Sequence, residues 1–167
     1  MRMRMRMRML MLLAGLCAAA GSVLVAQPAP ARDPRFAGHW RLASFVNIDD
    51  QGVVTPSRFT GGRIVYDAAG EMAAQLTHAD RPALPASPGD GLRAAAYAGY
   101  VAYYGAYDID AATSKVTHHV EGSTNPNWPK TDLVRYFEFA DGGNTLKLSI
   151  RNEAGRTTGT LTWARIR

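Results

Sequence analysis

Short runs of strand-like residues recur along this chain at nearly even spacing, each closed by residues that favour turns. The runs are Gly38–Ile48, Arg63–Asp67, Glu71–His78, Tyr104–Ile109, Lys115–Gly122, Asp132–Phe139, Thr145–Arg151 and Arg156–Arg167. Asp67-Ala-Ala-Gly70, Gly142-Gly143 and Ala154-Gly155 supply the turns, where glycine adopts positive φ without steric cost. Asp49–Gly52 reads as a turn and Val53–Gly62 as an irregular connection. Pro82, Pro85 and Pro88 make Arg81–Gly91 a loop. Leu92–Tyr103 breaks the pattern, with Ala, Leu and Tyr at helical spacing, Asp90 as candidate N-cap and an end near Gly105. Eight short strands and one helix point to an all-β antiparallel barrel or sandwich. Closure is favoured, because it removes exposed strand edges and leaves room for one small ligand. The expected fold is an eight-stranded up-and-down β-barrel with one short helix between strands three and four.

The N-terminus is set apart from this domain. Met1–Arg8 alternates Met with Arg, and Met9–Ala26 is apolar with small residues towards its end. That is the pattern of a secretory signal peptide, with cleavage expected after Ala26 or, second, after Ala31. The alternative is a membrane anchor, since 18 apolar residues reach the lower edge of a span. The Ala and Gly content and the Pro-rich linker at 27–35 favour cleavage, leaving the domain at 36–167. The start codon itself has alternatives at Met7 and Met9. The expected location is therefore periplasmic or extracellular, with no stable membrane span. Cys17, the single cysteine, lies in the apolar segment after Leu16, where lipid modification would need a small residue. The mature domain then has neither a disulfide nor thiol chemistry.

Removing the signal changes the charge argument. The chain carries 19 Lys and Arg against 14 Asp and Glu, for a net +5. Arg2, Arg4, Arg6 and Arg8 leave with the signal, so 15 basic residues face 14 acids and the net charge falls to +1. The basic isoelectric point is then no nucleic-acid footprint, and nucleic acid is discarded as a partner.

Tyr97–Trp128 concentrates the chain's chemistry: five of seven tyrosines, two of four histidines and one of three tryptophans. In Lys115–Gly122, alternation puts Val116, His118 and Val120 on one face and Thr117, His119 and Glu121 on the other. The valines point His118 inward. In Asp132–Phe139, Leu133, Arg135, Phe137 and Phe139 share a face that directs Arg135 inward, although Val134 and Tyr136 argue for the opposite register. A partner for an enclosed Arg135 would be water, a tyrosine hydroxyl or Asp108. The bland alternative is a structural arginine and a satisfied core histidine. Tyr100, Tyr104 and Tyr107 are candidate lining residues, although spacings of three and four are also those of helix packing. Trp128, in a loop after Pro126, is a candidate lid or a plug for one end. His119 and Glu121 lie two apart, but zinc needs three or four ligands, so no metal is expected. No phosphate loop, G-x-S-x-G, H-E-x-x-H or C-x-x-C occurs, and neither nucleophilic catalysis nor a cofactor has local support.

Gly38-x-Trp40 resembles the G-x-W signature of lipocalins. The runs GRIVYDAAGEMAAQL, YAGYVAYYGAYDID, VTHHVEGSTNPNW, VRYFEF and LTWARIR resemble, in that order, the bacterial and fungal lipocalin-like domain family, a calycin-type barrel. The resemblance spans Gly38–Arg167 and implies a barrel open at one end. It implies that Trp40 sits at the closed end against Arg165 of the last strand, a structural cation–π contact of about 0.5–2 kcal/mol. Two departures stand out. The helix lies between strands three and four where lipocalins usually place theirs last, and the disulfide common in secreted lipocalins is absent.

Three functions fit. The first is an exported monomer or weak dimer binding a small, largely apolar or weakly acidic molecule. The second is an isomerase or cyclase in which His118 or a tyrosine moves a proton while Arg135 holds an oxyanion. The third is an envelope or stress domain with a filled barrel.

Overall fold

The computed structural model describes residues 33–167, so the expected signal peptide and most of the linker lie outside the described residues. The described chain holds nine strands: β1 (Gly38–Ile48), β2 (Val54–Pro56), β3 (Phe59–Tyr66), β4 (Glu71–His78), β5 (Tyr100–Asp110), β6 (Lys115–Ser123), β7 (Asp132–Ala140), β8 (Thr145–Arg151) and β9 (Thr157–Arg165). Neighbours pair antiparallel from β3 to β9, and β1 pairs with both β3 and β9, which closes eight strands into a barrel. The ninth, β2, covers the far end of β1 through Val46, Asn47 and Ile48. A bulge between Leu42 and Ser44 bends β1 between these partners. No helix among the described residues is long and apolar enough to cross a membrane.

One helix, α1 (Asp90–Ala98), lies between β4 and β5, not between the third and fourth strands as expected. The difference comes from Val53–Gly62, which contains β2 and the start of β3 instead of an irregular connection. The helix also stops earlier than expected. From Tyr100 onward, alternation of Val101, Tyr103 and Tyr107 into the core overrides the helical spacing of the tyrosines. Gly99 donates its N–H to Ala95 O and ends the helix. Gly89, not Asp90, is the N-cap, and it makes no side-chain cap bond. Asp90 sits in the first turn, where the helix dipole favours a carboxylate.

A second bulge inserts Glu121 into β6, so that Tyr104 faces Gly122 and Gly105 faces Val120. A Cβ on Gly105 would lie 2.0 Å from the carbonyl oxygen of His119, so this close approach requires glycine.

The turns β3–β4, β5–β6 and β7–β8 mark one end of the barrel, which is packed with aromatics. Phe36 meets Tyr66, Phe137 and Phe139 edge to face at 5.2, 4.9 and 5.1 Å. Trp40 is fully buried and donates Nε1–H to Phe36 O at 3.0 Å. The Arg165 guanidinium lies 4.1 Å from its ring. Arg165 also donates to the carbonyls of Gly143, Ala37 and Arg35, tying three segments over that end. At the opposite end Phe45, Leu76, Val101, Leu133 and Ile150 are partly buried and form a looser apolar rim. α1 and the β6–β7 loop connect the strands at that end, which corresponds to the mouth expected of such a barrel.

Candidate functional site

Alternation on β6 turns Val116, His118 and Val120 into the barrel, and all three are buried. His118 is the one buried polar or charged residue among those described. Its Nε2 lies 2.7 Å from the hydroxyl of Tyr66 on β3, and its Nδ1 lies 3.0 Å from that of Tyr103 on β5. Three strands therefore converge on one imidazole, and both ring nitrogens are satisfied.

Burial sets the electrostatics. It pushes the His118 pKa down to about 3, helped by the Arg135 cation and then by His119. Burial also drives Tyr66 well above the ordinary tyrosine range and raises Tyr103, with Arg135 opposing the rise in both. The cluster is thus a neutral imidazole between two neutral phenols.

Arg135 faces Val116 across the β6–β7 ladder, and directly paired residues share a face. Its charge bears on His118, Tyr66 and Tyr103. Leu133, Phe137 and Phe139 on its face all pack against the core. Its Nη1 donates to Val134 O at 2.8 Å, and no carboxylate among the described residues forms an ion pair with it. Asp108, one candidate partner, is instead on the outer wall. There His119 bridges Asp132 (Nδ1, 2.7 Å) and Asp108 (Nε2, 3.0 Å). These carboxylates raise the His119 pKa, the Asp132 hydrogen bond contributing most.

The remaining candidates separate. Tyr107 points inward but sits deep, 1% exposed, with its hydroxyl donating to Asp67 O at 2.8 Å. Tyr104 does not line the interior: it is 58% exposed on the outer wall, its ring over Gly122. It borders an outer groove of about 400 Å3 whose lining carries no charged side chain. Tyr100 pairs with Thr77 on the same outer parity, under the Arg81 guanidinium at 4.8 Å. The expectation for both failed because β5 begins at Tyr100, so that Tyr103 takes the inward position. Trp128, in the β6–β7 loop, packs edge-on against Tyr103 at 5.6 Å and is half-buried.

Tyr66 and Tyr103, the two partners of His118, were not among the named lining candidates, although Tyr103 belongs to the same run of tyrosines at 97–107. Tyr66 carried a usable signal, since alternation in RIVYD puts it on the face of Ile64. No group of three or more His, Cys, Asp or Glu among the described residues is placed to hold a metal.

A closed antiparallel barrel of eight strands is an architecture that lipocalins share with other up-and-down barrels. The chain belongs to the lipocalin-like domain family, whose pattern it matches over residues 37–166. Among solved structures it is similar to a redesigned beta barrel, at 11% identity and a TM-score of 0.42, over 80% of this chain and 93% of that one. No curated protein matches it.

Proposed function

We propose that this protein binds a small, largely apolar molecule bearing an anionic or strongly accepting oxygen, held in the mouth half of the barrel. The carrying observation is Arg135, an inward-facing cation with a carbonyl hydrogen bond and no carboxylate partner among the described residues. Arg135 is half-buried, and a ligand oxyanion would give its guanidinium the counter-charge that the Val134 carbonyl does not. The packed aromatic end leaves the rim of Phe45, Leu76, Val101, Leu133 and Ile150 to receive the apolar part.

The proton-transfer reading draws support from the contacts of His118 with two tyrosines. Against it, an imidazole with a pKa of about 3 is a poor base at neutral pH, so binding is the better reading.

The test replaces Arg135 with Met, which keeps much of the stem and removes the charge. Decanoate and decanamide serve as matched probes in calorimetry. A hydrogen bond to a charged group contributes about 1.5–3 kcal/mol. Decanoate should therefore weaken roughly 10- to 150-fold while decanamide changes little. Equal losses would reject the charge role, and no loss would put Arg135 outside the site. Wild-type protein that takes up neither probe would favour a filled, structural barrel.

Export is part of the same proposal, supported by the basic and apolar N-terminal runs. N-terminal sequencing of protein from its own host should begin after Ala26 or Ala31. A membrane-held product retaining Leu10–Ala20 would overturn it.

A further inference from the structure

We infer that the Tyr103 hydroxyl is a second contact for the bound molecule, offered as a hydrogen-bond donor, and that the preferred partner is a carboxylate. This rests on the binding function proposed above. It follows from counting protons in the Tyr66–His118–Tyr103 chain.

A neutral imidazole has one N–H and one lone pair, and each phenol has one O–H. Three protons thus serve two contacts, Tyr66 to Nε2 and Tyr103 to Nδ1. Whichever tyrosine accepts the ring N–H keeps a spare O–H. The two tyrosines are not equivalent in this respect. Tyr66 is 1% exposed, with Phe36 and Tyr107 against its ring at 5.2 and 4.8 Å. A spare O–H there would be a buried unsatisfied donor, which native interiors avoid. Tyr103 is buried as well, but it packs against Trp128 of the β6–β7 loop, at the end of the barrel away from Phe36, so its spare proton is the one on the guest's side.

The chain therefore runs one way. Tyr66 donates to Nε2, Nδ1–H donates to the Tyr103 oxygen, and the Tyr103 O–H is left for the guest. Arg135, whose charge bears on Tyr103, supplies further N–H donors and no acceptor. Groups that only donate suit a carboxylate, whose two oxygens accept from both. An alcohol matches them less well, because its own O–H finds no acceptor in the pair.

Two measurements test this. In the unliganded wild-type protein, 15N NMR of His118 should show Nδ1 protonated and Nε2 bare. In calorimetry, Tyr103→Phe should weaken decanoate about tenfold, the size of one hydrogen bond, and decan-1-ol by no more than about threefold. Protonated Nε2 would overturn the inference whatever the variant does. So would the expected tautomer with decanoate binding to Tyr103→Phe within twofold of wild type. Failure of wild type to bind decanoate would be a different result: it would remove the binding function itself and the ligand assignment with it. The NMR result needs no ligand and no variant, so poor folding of Tyr103→Phe leaves it decisive.

Discussion

Acidification from pH 7 to pH 3 is expected to remove about 4–5 kcal/mol of folding stability through His118 alone. In the folded chain its pKa is about 3, against roughly 6.5 when unfolded. Between those values the unfolded chain binds a proton that the folded chain refuses. The contribution of His118 is therefore intact above about pH 6.5 and is lost as the pH falls towards 3. Asp33, Asp80 and Asp110 also have depressed pKa values, but their losses start lower, near the ordinary carboxylate range. His119 acts in the opposite sense. Its raised pKa adds stability below about 6.5 that is lost as the pH rises, and its exposure keeps that effect small. Urea unfolding at pH 7, 6, 5 and 4 should show a steep loss in wild type and a flatter one in His118→Gln. Parallel curves would mean that His118 is not held neutral inside the barrel.

The second large effect belongs to the packed end. Trp40→Ala should cost about 3–5 kcal/mol, the usual range for deleting a buried large aromatic. The loss includes the Nε1–H bond to Phe36 O and the face on which the Arg165 guanidinium rests. Because Trp40 lies at the end away from the mouth, the preference for decanoate over decanamide should survive in the folded fraction. A denaturant midpoint close to wild type would contradict the burial of Trp40.

Local pattern carries the barrel well where turn residues and alternation agree, as in Asp67–Gly70 between β3 and β4. It fails where two periods coincide. Tyr100, Tyr103 and Tyr107 fit a helix, yet Val101, Tyr103, Gly105 and Tyr107 fit an inward strand face equally, and burial of the second set decides. Pro56, Ser57 and the Gly61-Gly62 pair disguise β2 and the start of β3 as a loop. At Gly62, the strand reading follows from packing, because a Cβ there would lie 2.7 Å from Gln75 O. Val116 and Val120 point to an inward His118, but for Arg135 the apolar neighbours Leu133, Phe137 and Phe139 stand against Val134 and Tyr136, and only its pairing with Val116 decides the face. The partners of His118 were not legible: Tyr66 is 52 positions away, and no local period reports a contact that barrel closure creates.

The central claim is that the mouth half of the barrel receives an apolar acid at Arg135. Two-dimensional NMR of arginine Nε–H, tyrosine and tryptophan side chains, titrated with decanoate, tests it most directly. Saturable shifts should appear at Arg135, Tyr103 and Trp128, while Arg81, Tyr100 and Tyr104 on the outer wall stay still. Shifts confined to those outer residues, or none at millimolar decanoate, would contradict it.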